Sequence, residues 1–159
     1  MLNYENLIGL PYIEGYQDCY GLMRRYYGQN YGLKLRNYAR PLNFPDHLNL
    51  ISENFASEGF QLCEISLDQL EIGDAMMFCI GRRKYVNHVG CFVGNGWMLH
   101  HLFNKSSSTD AMTASWRQRV VSVLRHPEVA DQNKLLPTKV DLFQFLPPHL
   151  KAKYAEQTS

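Results

Sequence analysis

The sequence lacks any run of about eighteen consecutive apolar residues, so no membrane-spanning helix is predicted. It has almost no net charge: 16 Lys and Arg oppose 15 Asp and Glu, leaving +1. That gives no electrostatic case for nucleic acid or an anionic membrane surface as partner. Cysteine is scarce, and its four positions, Cys19, Cys63, Cys79 and Cys91, form no C-x-x-C pair, which argues against zinc. No cofactor is predicted. The opening residues, Met1-Leu2-Asn3-Tyr4-Glu5-Asn6, lack the basic and apolar regions of a signal peptide, so delivery by other means than a Sec signal is expected. There is no internal repeat. What the chain does have is 159 residues with 45% hydrophobic content, enough for one domain with a real core. We expect that domain over residues 1–146 and a flexible tail over 147–159, where Pro147-Pro148 breaks the last apolar stretch.

The most informative stretch is Tyr16-Gln17-Asp18-Cys19-Tyr20-Gly21-Leu22. Asp18 suits an N-cap, whose carboxylate accepts a free N–H of the first helical turn. Cys19 then occupies the first helical position, where the helix dipole favours a thiolate. The Asp18 charge opposes this, so a base is needed. His88, His100 and His101 lie far downstream, and cysteine before histidine is the chain order of a papain-like thiol enzyme. Taken alone, Cys19 reads sooner as an inert buried thiol, and the downstream histidine segment reverses that reading. Cys63, Cys79 and Cys91 lie in apolar strand-like runs and read as small core residues, with a disulfide as the alternative.

Periodicity places the elements. A lead-in over 1–11 and a loop over 11–17 precede a helix from Cys19 to about Tyr27, with Gly28 as its stop. Arg24 and Arg25 read as its solvated face. A long loop over 28–45, with interleaved Tyr31, Lys34, Arg36, Tyr38 and Arg40, leads to a second helix capped by Asp46 and ended by Gly59. Strands are predicted over Phe60–Ile65, Ala75–Ile80, Asn87–Val93, Trp97–Phe103 and Arg119–Arg125. Gly81-Arg82-Arg83-Lys84 reads as an exposed turn, 104–113 as a polar mobile segment, and 127–140 as a loose connection. Asp141–Leu146 reads as a short apolar docking element. Helices first and an antiparallel sheet after give an α+β plan.

Three segments together resemble one family. Asp18-Cys19-Tyr20-Gly21-Leu22 resembles the D-C-S-G-hydrophobic signature of the NlpC/P60 cysteine peptidases. Leu70-Glu71-Ile72-Gly73-Asp74-Ala75-Met76-Met77-Phe78 resembles their L-x-x-G-D strand. His88-Val89-Gly90, with Gly94-Asn95-Gly96 and His100, resembles their H-V-G hairpin. Tyr20 in place of serine and the double histidine His100-His101 are similar to the tail-tip peptidoglycan hydrolases of lambda-like siphophages, and the likeness continues through Trp116-Arg117 and Arg119–His126.

The resemblance implies a papain-like core with the nucleophile at a helix N-terminus, packed on an antiparallel sheet. It implies Cys19 as nucleophile, His88 as base, His100 as the residue orienting His88, and amides near Cys19 as oxyanion donors. It further implies a site tyrosine, with Tyr12 as the match and Tyr16 as its rival. The implied substrate is an amide of the peptidoglycan stem peptide, the implied partners are other tail-tip proteins, and the implied place is the virion tail tip. Synthesis would be in the host cytoplasm and action at the periplasmic wall. An idle structural tail component and a thiol acyltransferase of the same fold are the alternatives.

Hairpin geometry separates His100 from His101. His88, Gly90 and Phe92 share one strand face. A plain two-residue turn at Asn95-Gly96 pairs Gly90 with His101; a three-residue loop, or an equivalent bulge, pairs Gly90 with His100. The family spacing of twelve residues favours His100, and so predicts the loop or bulge.

Overall fold

Helix α1, Cys19–Tyr31, buries Leu22, Met23, Tyr26, Tyr27 and Tyr31, which recur turn by turn along one stripe. In the computed structural model, which describes residues 2–38, 50–82 and 85–135, this stripe lies across strands β3 (His88–Gly94) and β4 (Trp97–His100). The helix runs past Gly28, the predicted stop, to Gly32, whose left-handed backbone (φ 72°) closes it with N–H bonds to the carbonyls of Gly28 and Tyr27. Tyr31 explains the extension: it lies one turn beyond Tyr27 and adds a further ring to the core, outweighing the modest cost of a glycine inside a helix.

The remaining elements are a 3-10 turn at Glu5–Leu7, α2 (Leu50–Ser57), β1 (Gln61–Cys63), β2 (Ala75–Phe78), β5 (Ser108–Ala111), α3 (Ala114–Arg117), β6 (Val120–Arg125) and α4 (Pro127–Leu135). The six strands form one antiparallel sheet in the order β1-β6-β2-β3-β4-β5. This is the predicted α+β plan, with β3 as long as expected and the other predicted strands shorter. Two segments differ in kind. The polar stretch 104–113 contains β5, an edge strand paired with β4 along Trp97–His100. The loose connection expected from residue 127 is helix α4, which accepts Pro127 at its first position because that residue's missing N–H has no intrahelical partner anyway. Asp46, Asp141–Leu146, the tail 147–159 and the Arg83-Lys84 tip fall outside the described residues.

Alternation along the strands builds two cores. One face carries Ala75, Met77, Val89, Cys91, Val93, Leu99 and Leu124 against α1, Phe55 and Phe60. The other carries Met76, Phe78, Met98 and Val123 against Leu67, Leu70 and Trp116. Fully burying one such apolar side chain contributes about 1.5–3 kcal/mol. All four cysteines are free thiols; Cys91 is buried, Cys63 is half-buried against the second core, and Cys79 is half-buried. Arg24 is not only a solvated residue, since its Nε donates to the Leu35 carbonyl at 2.9 Å.

One polar lock joins the strands beneath the first core. Asp74 has no exposed surface and accepts two bonds from Arg125, Nε at 2.7 Å and a terminal guanidinium nitrogen at 2.8 Å. It also accepts the Glu71 N–H at 2.8 Å, and Arg125 reaches the Glu71 carboxylate at 2.8 Å. The bidentate pair raises the Arg125 pKa further above its ordinary value. Just before it, the Gly73 carbonyl accepts the Tyr27 hydroxyl at 2.9 Å, tying α1 to the same turn.

Candidate active site

Asp18 caps α1 as the sequence predicts. Its backbone is extended, and its carboxylate accepts the Gly21 N–H at 2.7 Å and the Gly15 N–H at 3.0 Å. The second bond folds the 13–17 loop back onto the helix start, where Ile13 and Gln17 form a short antiparallel bridge. A side chain at Gly21 would not fit: its Cβ would lie 2.3 Å from the Tyr16 carbonyl oxygen, so the glycine of the Asp18–Gly21 signature lets this loop close. Cys19 follows the cap as the first helical residue, half-buried and packed against the first core. The two candidate tyrosines diverge. Tyr12 is half-buried, with its ring edge-on to His101 at 5.5 Å and to Phe103 at 5.2 Å. Tyr16 is exposed, with the Arg25 guanidinium over its ring at 5.3 Å.

The histidines come from the β3–β4 hairpin. Asn95 and Gly96 both have positive φ, 52° and 77°, the backbone of a tight two-residue turn, and Gly94 pairs with Trp97. Two residues further in, Phe92 pairs with Met98, so Val93 is an extra residue on β3. That bulge restores the register in which Gly90 pairs with His100. The Asn-Gly turn and the His100 register, mutually exclusive in a plain hairpin, therefore coexist.

His88 Nε2 and His100 Nδ1 lie 3.1 Å apart, a side-chain hydrogen bond across the strands. Gly90 sits between them in sequence and leaves room for the crossing; a Cβ there would lie 3.2 Å from that of His100. The rings share the second face: Phe78 lies 5.8 Å from His88, and Trp116 stands edge-on to His100 at 5.0 Å. His100 Nε2 is buried without a well-aligned hydrogen bond and lies 3.2 Å from Asp110 Oδ2 on β5. His101 points to the first face, where its Nε2 meets the Lys105 carbonyl at 3.0 Å.

Burial sets the charge of this pair. It pushes the His88 pKa down to about 3, with the neighbouring His100 and then His101 adding to the effect. Burial also lowers His100, against the opposing pull of Asp110. His101 is lowered by burial too, opposed by the Lys105 carbonyl and the Asp18 charge. Both members of the pair are therefore neutral near pH 7, and each can pass a proton along one line. Burial raises the Cys91 thiol to about 12 and raises Cys63 as well, which disfavours either as a thiolate.

The sequence-predicted residues thus divide by element. His88 and His100 meet directly. Cys19 and Asp18 stand at the start of the helix that packs across the strands bearing those histidines. Tyr12 sets its ring edge-on to His101. Among the described residues no group of three or more metal-ligating side chains is gathered, and no helix is long and apolar enough to cross a membrane. Sequence reasoning missed Asp110 and the ring contact of Trp116. Both belong to the segment 104–117, whose polar composition hid an edge strand and a short helix.

The sequence model of the NlpC/P60 family matches residues 9–125. Tail tip assembly protein K of Escherichia phage lambda is 29% identical over 122 residues, covering 76% of this chain and 59% of that protein. Its counterpart of the same name in Escherichia phage N15 is 27% identical over 126 residues, covering 77% of this chain and 50% of that protein. The chain therefore spans only about half to three-fifths of the length of these relatives. Among solved structures, the NlpC/p60 domain of peptidoglycan hydrolase SagA superposes with a TM-score of 0.52 at 21% identity, covering 76% of this chain and 90% of that one; at this identity the likeness is one of fold.

Proposed function

The chain belongs to the NlpC/P60 family, and from that premise we propose that it is a cysteine peptidase or amidase cutting an amide bond of the peptidoglycan stem peptide, in a phage tail tip. The observation that carries the reading is the buried 3.1 Å bond between His88 Nε2 and His100 Nδ1. It occupies one nitrogen of His88 and leaves Nδ1 as the nitrogen available to a thiol. In this reading His88 Nδ1 faces Cys19 Sγ. The thiol gives its proton to Nδ1, and the sulfur forms a bond to the amide carbonyl carbon. The carbonyl oxygen takes up the negative charge, which the positive end of the α1 dipole at Cys19 stabilises. As the C–N bond breaks, His88 returns the proton to the leaving amine. Water, deprotonated by the same nitrogen, then hydrolyses the thioester. Asp18 keeps the helix start closed, Tyr12 with His101 walls one side, and the neighbouring tail-tip proteins would bring the site to the cell wall.

The test is turnover on purified sacculi by the protein and by Cys19→Ala, with mass analysis of the fragments. Free stem-peptide fragments from the wild type, and none from the variant, are expected. Equal release by both would overturn Cys19 as nucleophile; no release by either would leave a structural tail component, and a transferred acyl group on an amine would indicate an acyltransferase. As a second expectation, iodoacetamide near neutral pH should label Cys19 before Cys63 or Cys91.

A further inference from the structure

Asp110 lies outside every signature the sequence carries, on an edge strand of polar composition, yet its carboxylate lies 3.2 Å from a nitrogen of a fully buried histidine. We propose that Asp110 is a positioning residue: by accepting the His100 Nε2 proton it fixes the tautomer of His100, and through it leaves His88 Nδ1 as the unprotonated nitrogen. This deepens the cysteine–histidine reading above and rests on it.

The argument is a count of protons. One hydrogen lies between His88 Nε2 and His100 Nδ1, and either ring can supply it. If His100 supplies it from Nδ1, its Nε2 is a bare lone pair set against a carboxylate that only accepts, and two acceptors 3.2 Å apart repel. If His88 supplies it from Nε2, His100 carries its own proton on Nε2, aimed at Asp110, and every contact pairs a donor with an acceptor. His88 Nδ1 is then the lone pair that a thiol proton requires. Burial keeps both rings neutral, so each holds one proton and no imidazolium blurs the choice. His100 Nε2 has no well-aligned partner in the resting arrangement. Such bonds tighten when charge develops, as it would on His88 during proton transfer. The sheet supplies the alignment: His100 pairs with Gly90 on one side and Ser108 on the other, which sets Asp110 two residues further along β5.

Asp110 is 41% exposed at its side chain, so changing it leaves the core packed and the effect can be separated from unfolding. The experiment compares wild type, Asp110→Asn, Asp110→Ala and Asp110→Glu in the full chain. Histidine tautomers are read from long-range 1H–15N spectra, and kcat and KM from stem-peptide release. Wild type should show Nε2–H on both His88 and His100. Asparagine can donate where aspartate accepts, so Asp110→Asn should move both protons to Nδ1. It should also lower kcat by about 10²-fold or more with little change in KM or Tm. Asp110→Glu should recover much of the rate. A wild-type His88 protonated on Nδ1, or an Asp110→Asn protein with unchanged tautomers and kcat, would overturn the assignment. The spectra do not require turnover. A tautomer change in a protein that never cuts sacculi would sustain the Asp110 role and sink the hydrolase reading instead.

Discussion

His100 and His101 are neighbours in sequence, both buried, both with lowered pKa, and they have opposite surroundings. On the second face of the sheet His100 bonds a histidine on one side and approaches a carboxylate on the other, with Trp116 standing edge-on to the ring. On the first face His101 gives its Nε2 to a loop carbonyl and its ring to Tyr12. The first arrangement can move a proton through two rings. The second anchors the 101–107 loop, whose Ser107 in turn holds the lead-in segment through Leu7 and Leu10. Burial and pKa alone do not distinguish a residue that relays protons from one that fastens a loop; the partner on each ring nitrogen does.

The sharpest way to break this contrast is to remove each ring. His100→Ala should lower kcat about 10²- to 10⁴-fold, the range typical of proton-transfer groups. His101→Ala should change kcat less than about tenfold and instead lower Tm. Rates on sacculi and thermal melts of the two variants decide it, and equal losses of kcat would erase the distinction.

Next in size is the frame below the first face. Asp74→Ala leaves the half-buried Arg125 with Glu71 as its remaining carboxylate, a loss of about 1.5–3 kcal/mol in unfolding free energy for charged hydrogen bonds removed. Urea unfolding measures it; a loss under about 1 kcal/mol would mean that water relieves the arginine.

Acid sharpens the comparison from both faces at once. The unfolded histidines titrate near 6.5, whereas His88 in the fold does so near 3 and His100 and His101 are also lowered. Above about pH 6.5 both states are neutral and stability is flat. As pH falls below that value the unfolded chain binds protons that the fold refuses. Stability should then decline towards pH 3, by at most about 1.4 kcal/mol per pH unit for each such histidine. Urea midpoints at pH 7, 6, 5 and 4 test it, and His88→Gln should flatten part of the slope.

The smallest effect is expected at Tyr27→Phe. It removes the hydroxyl bonded to the Gly73 carbonyl and should cost about 1–2 kcal/mol with no effect on kcat beyond stability. A large loss of kcat would mean that the Tyr27–Gly73 bond does more than hold the fold.

The capped start of α1 was legible because Asp18, Cys19 and Gly21 act within one turn, where local sequence decides the geometry. The two-faced strands β2, β3 and β6 were legible because their apolar residues must choose a side. β5 was not: Ser108-Thr109-Asp110-Ala111 has no buried apolar face to alternate. Its pairing is set by β4, which is distant information, and Asp110 was hidden with it. Gly28 and Pro127 misled for different reasons. Gly28 has a local cost that burial of Tyr31 overrides, whereas Pro127, at the first position of α4, has none, and Val129 packs that helix into the first core.

The bulge at Val93 makes the hairpin behave like a reading frame. Two adjacent histidines are two possible words, and one extra residue selects which of them stands opposite Gly90. Deleting one residue of β4 between Trp97 and His100, with the bulge and the Asn95-Gly96 turn kept, would shift the pairing by one and bring His101 into the place of His100. Deleting Val93 itself would only turn the bulge into a plain hairpin, with Gly90 still opposite His100. Within this hairpin, the balance of residues on the two sides of the turn carries the message, and the identity of the residues in the turn is spelling.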